Sequence, residues 1–309
     1  MITTIFSKSQ PLNFAMIAII FVLSYVIFQI EFNVWNSAEI ITKRIFIFLL
    51  LSLSILLANF IGNKNNLQKN SAFSVLFNVL FIVLIPEVFN DLNLVTANVL
   101  VLFAIRRLFE MQLQINVKQK IFDASILIFI ATFFKFWSVM FLFLVFASII
   151  FHASRDYRNW IVPIIAFFAA AISFFLAAFI INPTIIKTFW DSTFVNLNFD
   201  YFKNNFQNLS ISFYASISVL FVGNLISIYA RKTLTSHPHY KTLLFTIVIG
   251  LLFYILTPNK NNGSLVFTFG PMAILAANYF DNIETIWIKE TTAIVIVLVS
   301  LTCFIGQIY

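Results

Sequence analysis

Three acidic residues stand at the edges of apolar segments, where a carboxylate could accept a proton or bind a cation. Glu31 ends the first apolar segment, and Glu87 and Asp91 lie in the short connection 86–92. Their spacing of four would place Glu87 and Asp91 on one face if that connection were helical. A carboxylate at a membrane edge costs desolvation energy unless it is hydrated, paired or bound to a cation. Two interpretations stay open: hydrated loop acids, or a cavity in which Glu31, with Glu87 or Asp91, acts as a base or cation ligand.

A lone lysine and a basic pair could supply positive charge to the same chemistry. Lys135 interrupts the otherwise apolar stretch 121–151, and Lys43 and Arg44 directly precede another apolar segment. A buried ammonium is costly, so Lys135 should reach an interface, a phosphate or an acid. Snorkelling to lipid headgroups would explain it without function. The alternative is a substrate-binding cationic site, shared with Lys43 and Arg44, for a lipid-linked phosphate.

Signatures of soluble enzymes and of metal sites are missing from the sequence. It contains no P-loop, no dinucleotide-binding fingerprint, no GxSxG motif and no HExxH motif. His152, His237 and His239 lie beside basic residues, and the last two have no third ligand nearby. The one cysteine, Cys303, lies inside an apolar segment. The sequence therefore identifies no metal site and no resident cofactor.

The elements that would position these groups are membrane-spanning helices. The 309 residues are 61% hydrophobic and 10% charged, whereas soluble domains have roughly 25% charged residues because their surface faces water. So few charges can cover the loops between spans but not the surface of a soluble globule. The composition predicts an all-α integral membrane protein in contact with the lipid bilayer.

Eleven apolar segments predict eleven transmembrane helices, with the amino terminus in the cytoplasm. Several segments are shorter than the roughly 20 residues that cross a bilayer upright. The short pairs within 72–105 and 121–151 could be spans or re-entrant hairpins. The predicted helices are residues 12–30, 45–61, 72–85, 92–105, 121–134, 137–151, 160–181, 211–230, 242–257, 265–280 and 290–308.

The distribution of basic residues supports this topology. Thirteen of the 19 lysines and arginines fall on the side of the amino terminus, as the positive-inside rule expects of a multi-pass protein in the bacterial inner membrane. Topology and anionic headgroups account for the net charge of +7, so no nucleic-acid partner is predicted. The thirteen are Lys8, Lys64, Lys69, Arg106, Arg107, Lys118, Lys120, Arg155, Arg158, Arg231, Lys232, Lys241 and Lys289.

No domain boundary interrupts the pattern, so we predict a single polytopic membrane domain over residues 1–309. The longest polar interval, 182–210, carries aromatic residues throughout. This composition suits an amphipathic segment that lies on the extracytoplasmic face of the membrane. Such a segment could also dock a protein partner.

Several stretches resemble the core of the GT-C class of membrane glycosyltransferases. In that class, short paired helices flank a lysine-bearing bend, and here the bend reads Phe134-Lys135-Phe136. The whole chain more closely resembles an uncharacterised family of bacterial polytopic inner-membrane proteins. The stretches similar to the GT-C class are Asn93–Arg107 (NLVTANVLVLFAIRR), Ser125–Ile150, His152–Trp160 (HASRDYRNW) and Gly263–Tyr279 (GSLVFTFGPMAILAANY).

The GT-C resemblance implies a polyprenyl-phosphate-sugar donor, a divalent cation and transfer on the extracytoplasmic side. Glu31 matches the position of the catalytic acid, which is typically an Asp in the class, and would deprotonate the acceptor hydroxyl. Lys135 would hold the departing phosphate. Members also have longer outer loops or a soluble domain for the acceptor, which 309 residues do not provide.

The leading functional hypothesis is therefore a GT-C-like protein that handles a polyprenyl-phosphate-linked glycan on the extracytoplasmic side. The most specific version of this hypothesis is that the protein is a glycosyltransferase. The alternative is a non-catalytic inner-membrane subunit or scaffold of an envelope assembly, with an envelope protein as partner. A transporter or flippase ranks third, because no inverted repeat is found and acids deep within the predicted spans are lacking. Catalytic and non-catalytic roles both stay open at this point.

Overall fold

The structure, a computed structural model, describes residues 2–32, 38–153, 156–181, 184–191, 193–195, 204–258 and 260–308. Throughout these residues the regular structure consists of α-helices and short 3-10 turns, without strands. The α-helices are α1 (Ile2–Phe6), α2 (Pro11–Phe32), α3 (Ala38–Lys64), α4 (Phe73–Leu84), α5 (Leu92–Glu110), α6 (Val117–Phe134), α7 (Leu142–His152), α8 (Arg158–Ile181), α9 (Thr184–Asp191), α10 (Asn205–Ile228), α11 (His237–Leu256), α12 (Val266–Asn282) and α13 (Ile286–Ile308).

Each of the eleven predicted apolar segments falls on helix, apart from single residues at some ends. Eight helical stretches in the described residues are long and apolar enough to cross a membrane, and two further apolar helices, Phe73–Leu84 and Phe136–His152, are shorter. The all-α, multi-helix membrane class is thereby confirmed. The number eleven and the cytoplasmic amino terminus stay predictions. The eight are Pro11–Glu31, Ala38–Lys64, Leu92–Leu113, Arg158–Ile180, Asn205–Arg231, Leu234–Leu256, Asn262–Asn282 and Ile286–Ile308.

Two compact units divide the chain. Unit 1 comprises residues 1–92, 199–237 and 268–309, and unit 2 comprises residues 93–198 and 238–267. Both units combine segments that are distant in sequence, so neither could be recognised from a linker or a change of composition. The prediction of one membrane domain rested on the lack of such a boundary.

Helix α4 lies at the centre of unit 1. Every one of its residues is buried, and it packs against α2, α3, α10 and α13. Its phenylalanines interlock with rings from other helices, as in Phe77 with Phe280 (ring centroids 4.6 Å apart) and Phe81 edge-on to Tyr214. Twelve residues span only about 18 Å, less than the roughly 30 Å hydrocarbon core. Its sequence is apolar on every side, apart from Ser74 and Asn78, because protein surrounds the helix.

One end of unit 1 gathers residues that the topology assigns to the cytoplasm. The backbone N–H of Lys69 donates to Asp281 Oδ2 at 2.8 Å, and Lys69 Nζ donates to the Asp281 carbonyl at 2.9 Å. The side-chain amide of Asn278 donates to the carbonyl of Leu67 at 2.6 Å. These bonds hold the segment between α3 and α4 against the end of α12. Lys69, predicted for the cytoplasmic side, thus lies at the opposite end of α3 from Lys43 and Arg44.

In unit 2, α6 and α8 form the largest contact between helices. Phe129 of α6 packs onto Ala166 and Ala170 of α8, whose small side chains admit the large ring. The predicted break in the stretch 121–151 is present, since α6 ends at Phe134 and a 3-10 turn, Phe136–Phe141, precedes α7.

The polar interval 182–210 is described in part. Its helix α9 packs the half-buried Phe189 against Phe133, Phe136 and Phe174, all in unit 2, while Trp190 is exposed. Residues 196–203 lie outside the described residues, and 205–210 form the first turns of α10. The described helix has one packed and one exposed side, and its place on the outer membrane face stays a prediction.

Candidate functional site

Polar side chains from several helix ends meet at one end of unit 1. The Tyr25 hydroxyl donates to the backbone carbonyl of Arg44 at 2.7 Å, and Gln29 Nε2 donates to the carbonyl of Phe89 at 3.2 Å. The rings of Tyr25 and Phe89 meet edge-on, 5.1 Å apart. These contacts join the end of α2, the start of α3 and the 3-10 turn Pro86–Asn90. We call this region the polar end of unit 1, defined by Gln29, Glu31, Lys43, Arg44, Glu87 and Gln207.

A carboxylate held by an amide lies within the polar end. Gln207 Nε2 donates to Glu87 Oε1 at 2.8 Å, and both side chains are half-buried. Pro86 is the first residue of the 3-10 turn that carries Glu87. Proline has no backbone N–H, and at this position an N–H would have no partner within the turn. The Asn204 side chain caps α10 by accepting from the backbone N–H of Phe206 at 2.8 Å. Gln207 therefore projects from a well-defined first turn.

The carboxyl end of α13 supports this arrangement. Gln307 Nε2 donates to the carbonyl of Leu84 at 3.0 Å, which lies in the last turn of α4, where carbonyls lack partners within the helix. One residue earlier, Gly306 allows the ring of Phe206 to approach closely, since a Cβ built there would lie 2.4 Å from that ring. A larger residue at this position would displace the start of α10, and Gln207 with it.

The polar end combines buried and exposed charges. Arg44 is only 7% exposed and Gln29 only 1%, whereas Glu31 and Lys43 are exposed. Arg44 therefore places a guanidinium group at the edge of an apolar bundle. An oriented carboxylate can accept a proton from a substrate, and a positive charge in the same region can stabilise an anionic group of that substrate.

Four of the predicted site residues lie on elements that contact one another, namely α2, α3 and the 3-10 turn Pro86–Asn90. These four are Glu31, Lys43, Arg44 and Glu87. Asp91 follows the 3-10 turn in extended conformation (φ −108°, ψ 91°). Because Pro86–Asn90 is a 3-10 turn that ends before Asp91, the connection is not helical through Asp91, and the condition under which Glu87 and Asp91 would share a helical face is not met.

Lys135 belongs to unit 2, at the junction between α6 and the 3-10 turn that follows. Its backbone is extended (φ −141°, ψ 107°), its N–H donates to the carbonyl of Ala131 at 3.0 Å, and its own carbonyl accepts from the N–H of Ser138 at 2.9 Å. The side chain is half-buried. The bend predicted around Lys135 is thus present as a change from α-helix to 3-10 turn.

Sequence reasoning missed the amides of the polar end. Gln29 lies in an otherwise apolar segment two residues before Glu31, and a buried amide in such a position signals a specific partner. Gln207 gives no comparable signal, because its partner Glu87 is 120 residues away. Neither a pattern nor a spacing could have paired these two residues.

The divalent cation implied by the GT-C resemblance has no clear set of ligands. The described residues contain no group of three or more His, Cys, Asp or Glu side chains that could hold a metal ion. No step proposed below uses a metal.

Comparison with known proteins gives a family and no activity. A search of curated proteins and a search of solved structures each found no match. A family model described as "Family of unknown function (DUF6427)" matches residues 1–309, which is the whole chain. This multi-helix, membrane-type chain therefore belongs to the DUF6427 family.

Proposed function

We propose that the polar end of unit 1 binds the phosphate-sugar headgroup of a polyprenyl-linked glycan and transfers its sugar to an acceptor hydroxyl. The proposal includes eleven spans, an amino terminus in the cytoplasm of a bacterium and a polar end that faces outward from the inner membrane. The positive-inside distribution and the GT-C resemblance support this orientation.

The observation that carries the proposal is the contact between Gln207 and Glu87. A half-buried carboxylate that accepts an amide hydrogen bond at 2.8 Å is held in one orientation, as a general base requires. The exposed Lys43 and the nearly buried Arg44 lie at the same end of the unit. The region thus combines an oriented base with cations suited to a phosphate.

The reaction is a substitution at the anomeric carbon of the donor sugar. A carboxylate, Glu31 by resemblance or Glu87 by geometry, removes the proton of the acceptor hydroxyl as that oxygen forms its bond to the anomeric carbon. The bond from the anomeric carbon to the phosphate oxygen breaks, and the polyprenyl phosphate leaves with the electron pair. Lys43 and Arg44 stabilise the negative charge on that phosphate.

Lys135 and Asp91 enter the proposal on different grounds. Lys135 stays a substrate-binding candidate by resemblance to the lysine-bearing bend of the GT-C class. Asp91 stays a substrate-binding candidate because it directly follows the turn that carries Glu87. Each can be tested by a single substitution.

The test is complementation of a strain that lacks the gene. Glu31→Gln, Glu87→Gln and Lys135→Ala variants are compared for surface glycan and for glycan transfer in membranes, with protein levels measured in parallel. We expect loss of the base to lower transfer by about 100-fold or more. Glu39→Gln is the matched control, because Glu39 is an exposed acid in the first turn of α3 that has no role in the proposal.

Wild-type glycan from all three variants, at normal protein levels, would remove the enzymatic function. If, in addition, the wild-type protein were recovered in mild detergent with a stoichiometric partner, the scaffold hypothesis would replace the proposed enzymatic function. Loss of glycan only when the protein itself is lost would also contradict catalysis.

A further inference from the structure

Unit 2 contains a large polar cavity at the loops that join α5 to α6 and α7 to α8. Its volume is about 990 Å³, at the upper end of the range for small-molecule sites. Most of its lining side chains are polar, although it adjoins apolar helices. We call it the unit 2 cavity; the lining residues are Gln114, Asn116, Val117, Lys118, Gln119, Phe151, His152, Ala153, Asp156 and Asn159.

The loops around the cavity are tied to each other. Gln114 Nε2 donates to the carbonyl of His152 at 2.7 Å, and Lys118 Nζ lies 3.0 Å from Asp156 Oδ2. Gln114 and Asn116 both have left-handed backbones, with φ of 54° and 51°. Such conformations are uncommon outside glycine and cluster at functional loops.

Two residues that line the cavity each have a buried polar atom that lacks a hydrogen-bond partner among the described residues. Asn159, 4% exposed, donates through Nδ2 to the carbonyl of Ala153 at 2.9 Å, while its Oδ1 is without a partner. His152 Nδ1 lies 3.1 Å from the carbonyl of Ser148 and therefore carries the proton of the neutral ring. His152 Nε2 is also without a partner.

Both atoms are acceptors, so the missing partner is a donor. Burial lowers the pKa of His152, which keeps the ring neutral and Nε2 an acceptor at pH 7. An unpaired buried acceptor costs about 1–3 kcal/mol, and a ligand that donates to it recovers that energy. A ligand hydroxyl can donate to either of the two acceptors. It can also bond to the side-chain amides of Gln114, Asn116 and Gln119, which line the cavity and both donate and accept.

The charge of the cavity favours a neutral ligand over an anion. Asp156 offsets Lys118, and the backbone N–H of Arg158 and the Lys118 side chain lower the pKa of Asp156, so the carboxylate stays ionised. A phosphate would meet that carboxylate and two acceptor atoms. A sugar ring would meet donors, acceptors and the aromatic side chain of Phe151.

We infer that the unit 2 cavity binds the hydroxyl groups of a hexose, either as a free sugar or as the headgroup of a glycolipid. Asn159 Oδ1 and His152 Nε2 accept from two of the ligand hydroxyls, and the surrounding amides bind others. The site lies within unit 2, whereas the residues proposed for the base and for Lys43 and Arg44 lie in unit 1. It stands whether or not the proposed sugar transfer does.

The experiment measures binding to the full chain in nanodiscs, after purification in lauryldimethylamine oxide, because alkyl-maltoside detergents would themselves offer sugar. The probes are glucose, N-acetylglucosamine and, incorporated in the disc, a monoglucosyl diacylglycerol. Calorimetry reports the free sugars and native mass spectrometry the lipid. Binding of a free sugar alone or of the lipid alone identifies the source of the hexose.

Two variants and a control locate the binding. Asn159→Leu removes one acceptor, and Gln119→Trp fills the cavity from an exposed position that should not disturb folding. Each is expected to raise the dissociation constant by about tenfold or more. Leu113→Trp, an equally drastic change at a residue that is 65% exposed and does not line the cavity, should leave it within about twofold.

Three results would overturn the inference. Wild-type protein that binds none of the three probes would do so, as would equal binding by wild type and both cavity variants. Displacement of a bound sugar by inorganic phosphate would show an anion site instead. None of these results bears on glycan transfer by the Glu87 variants, so the two proposals fail separately.

Discussion

The polar end of unit 1 and the unit 2 cavity contain similar side chains that differ in how completely they are hydrogen-bonded within the protein. In unit 1, Gln29, Gln207 and Gln307 each donate to a named acceptor. In the cavity wall, Asn159 and His152 each keep one atom without a partner in the part of the chain that the structure describes.

This difference separates two uses of a polar group near a membrane. An amide with a protein partner holds a neighbour in place, as Gln207 holds Glu87, and contributes orientation. An acceptor without a partner lowers stability in the free protein and gives that energy back when a ligand donates to it. The first arrangement suits chemistry that needs a fixed base, and the second suits recognition.

The largest expected effects come from measuring glycan transfer and hexose binding in the same two variants. Glu87→Gln should lower glycan transfer by about 100-fold or more and leave hexose binding within about twofold of wild type. Gln119→Trp should weaken hexose binding by about tenfold or more and leave glycan transfer within about twofold of wild type. A single variant that impairs both activities equally, at normal protein levels, would contradict the assignment of separate functions to the two regions.

A pair of glycine substitutions tests how tightly the polar end is packed. Gly306→Ala places a Cβ 2.4 Å from the ring of Phe206 and should lower the free energy of unfolding by about 1–3 kcal/mol, with reduced transfer because Gln207 moves. Gly223→Ala is the control, since nothing lies within 4 Å of its Cβ, and should stabilise α10 by about 0.5–1 kcal/mol. Thermal unfolding in detergent measures both. Equal midpoints would refute the close approach.

Removing one amide from each region should have unequal costs. Gln29→Leu leaves the buried carbonyl of Phe89 without its donor and should destabilise the protein by about 1–3 kcal/mol. Asn159→Leu also loses a bond, but at the same time it removes an acceptor that lacks a partner among the described residues. We expect a cost below about 1 kcal/mol. The reverse order in chemical unfolding would contradict the assignment of these bonding states.

Acidification should weaken hexose binding by a smaller factor than the substitutions in the cavity do. Protonation turns His152 Nε2 from an acceptor into a donor, and burial lowers the pKa of His152 from 6.5, so binding should be intact at pH 7 and weaken below pH 6.5. The expected loss is about two- to tenfold, the value of one hydrogen bond. Titration calorimetry between neutral and mildly acidic pH measures it.

The control for this pH dependence is His152→Gln, which should give a flatter profile. Other titratable groups lie near His152: His239 of α11 lies 6.1 Å away between ring centroids, and the pair Lys118–Asp156 lines the same cavity. Asp156 stays ionised in this pH range because its pKa is lowered. A pH dependence unchanged in His152→Gln would show that a group other than His152 is responsible.

Amino-acid sequence alone was sufficient to predict the helices. A run of apolar side chains must form helix in a bilayer, because each backbone polar group needs a partner within its own segment. The breaks at Pro86 and Lys135 were also readable. Pro86 lacks an N–H, and Lys135 interrupts an apolar stretch with a charge that must reach a polar region. All of these are properties of neighbours along the chain.

Tertiary structure alone determined which side chains meet. The complete burial of α4, the pairing of Gln207 with Glu87 and the enclosure of Asn159 and His152 in one cavity all depend on contacts between segments far apart in sequence. A glutamine or histidine has the same local signature whether its partner is protein, ligand or water. Its hydrogen-bonding state, and with it the distinction between an orienting group and a binding group, exists only once the helices have packed.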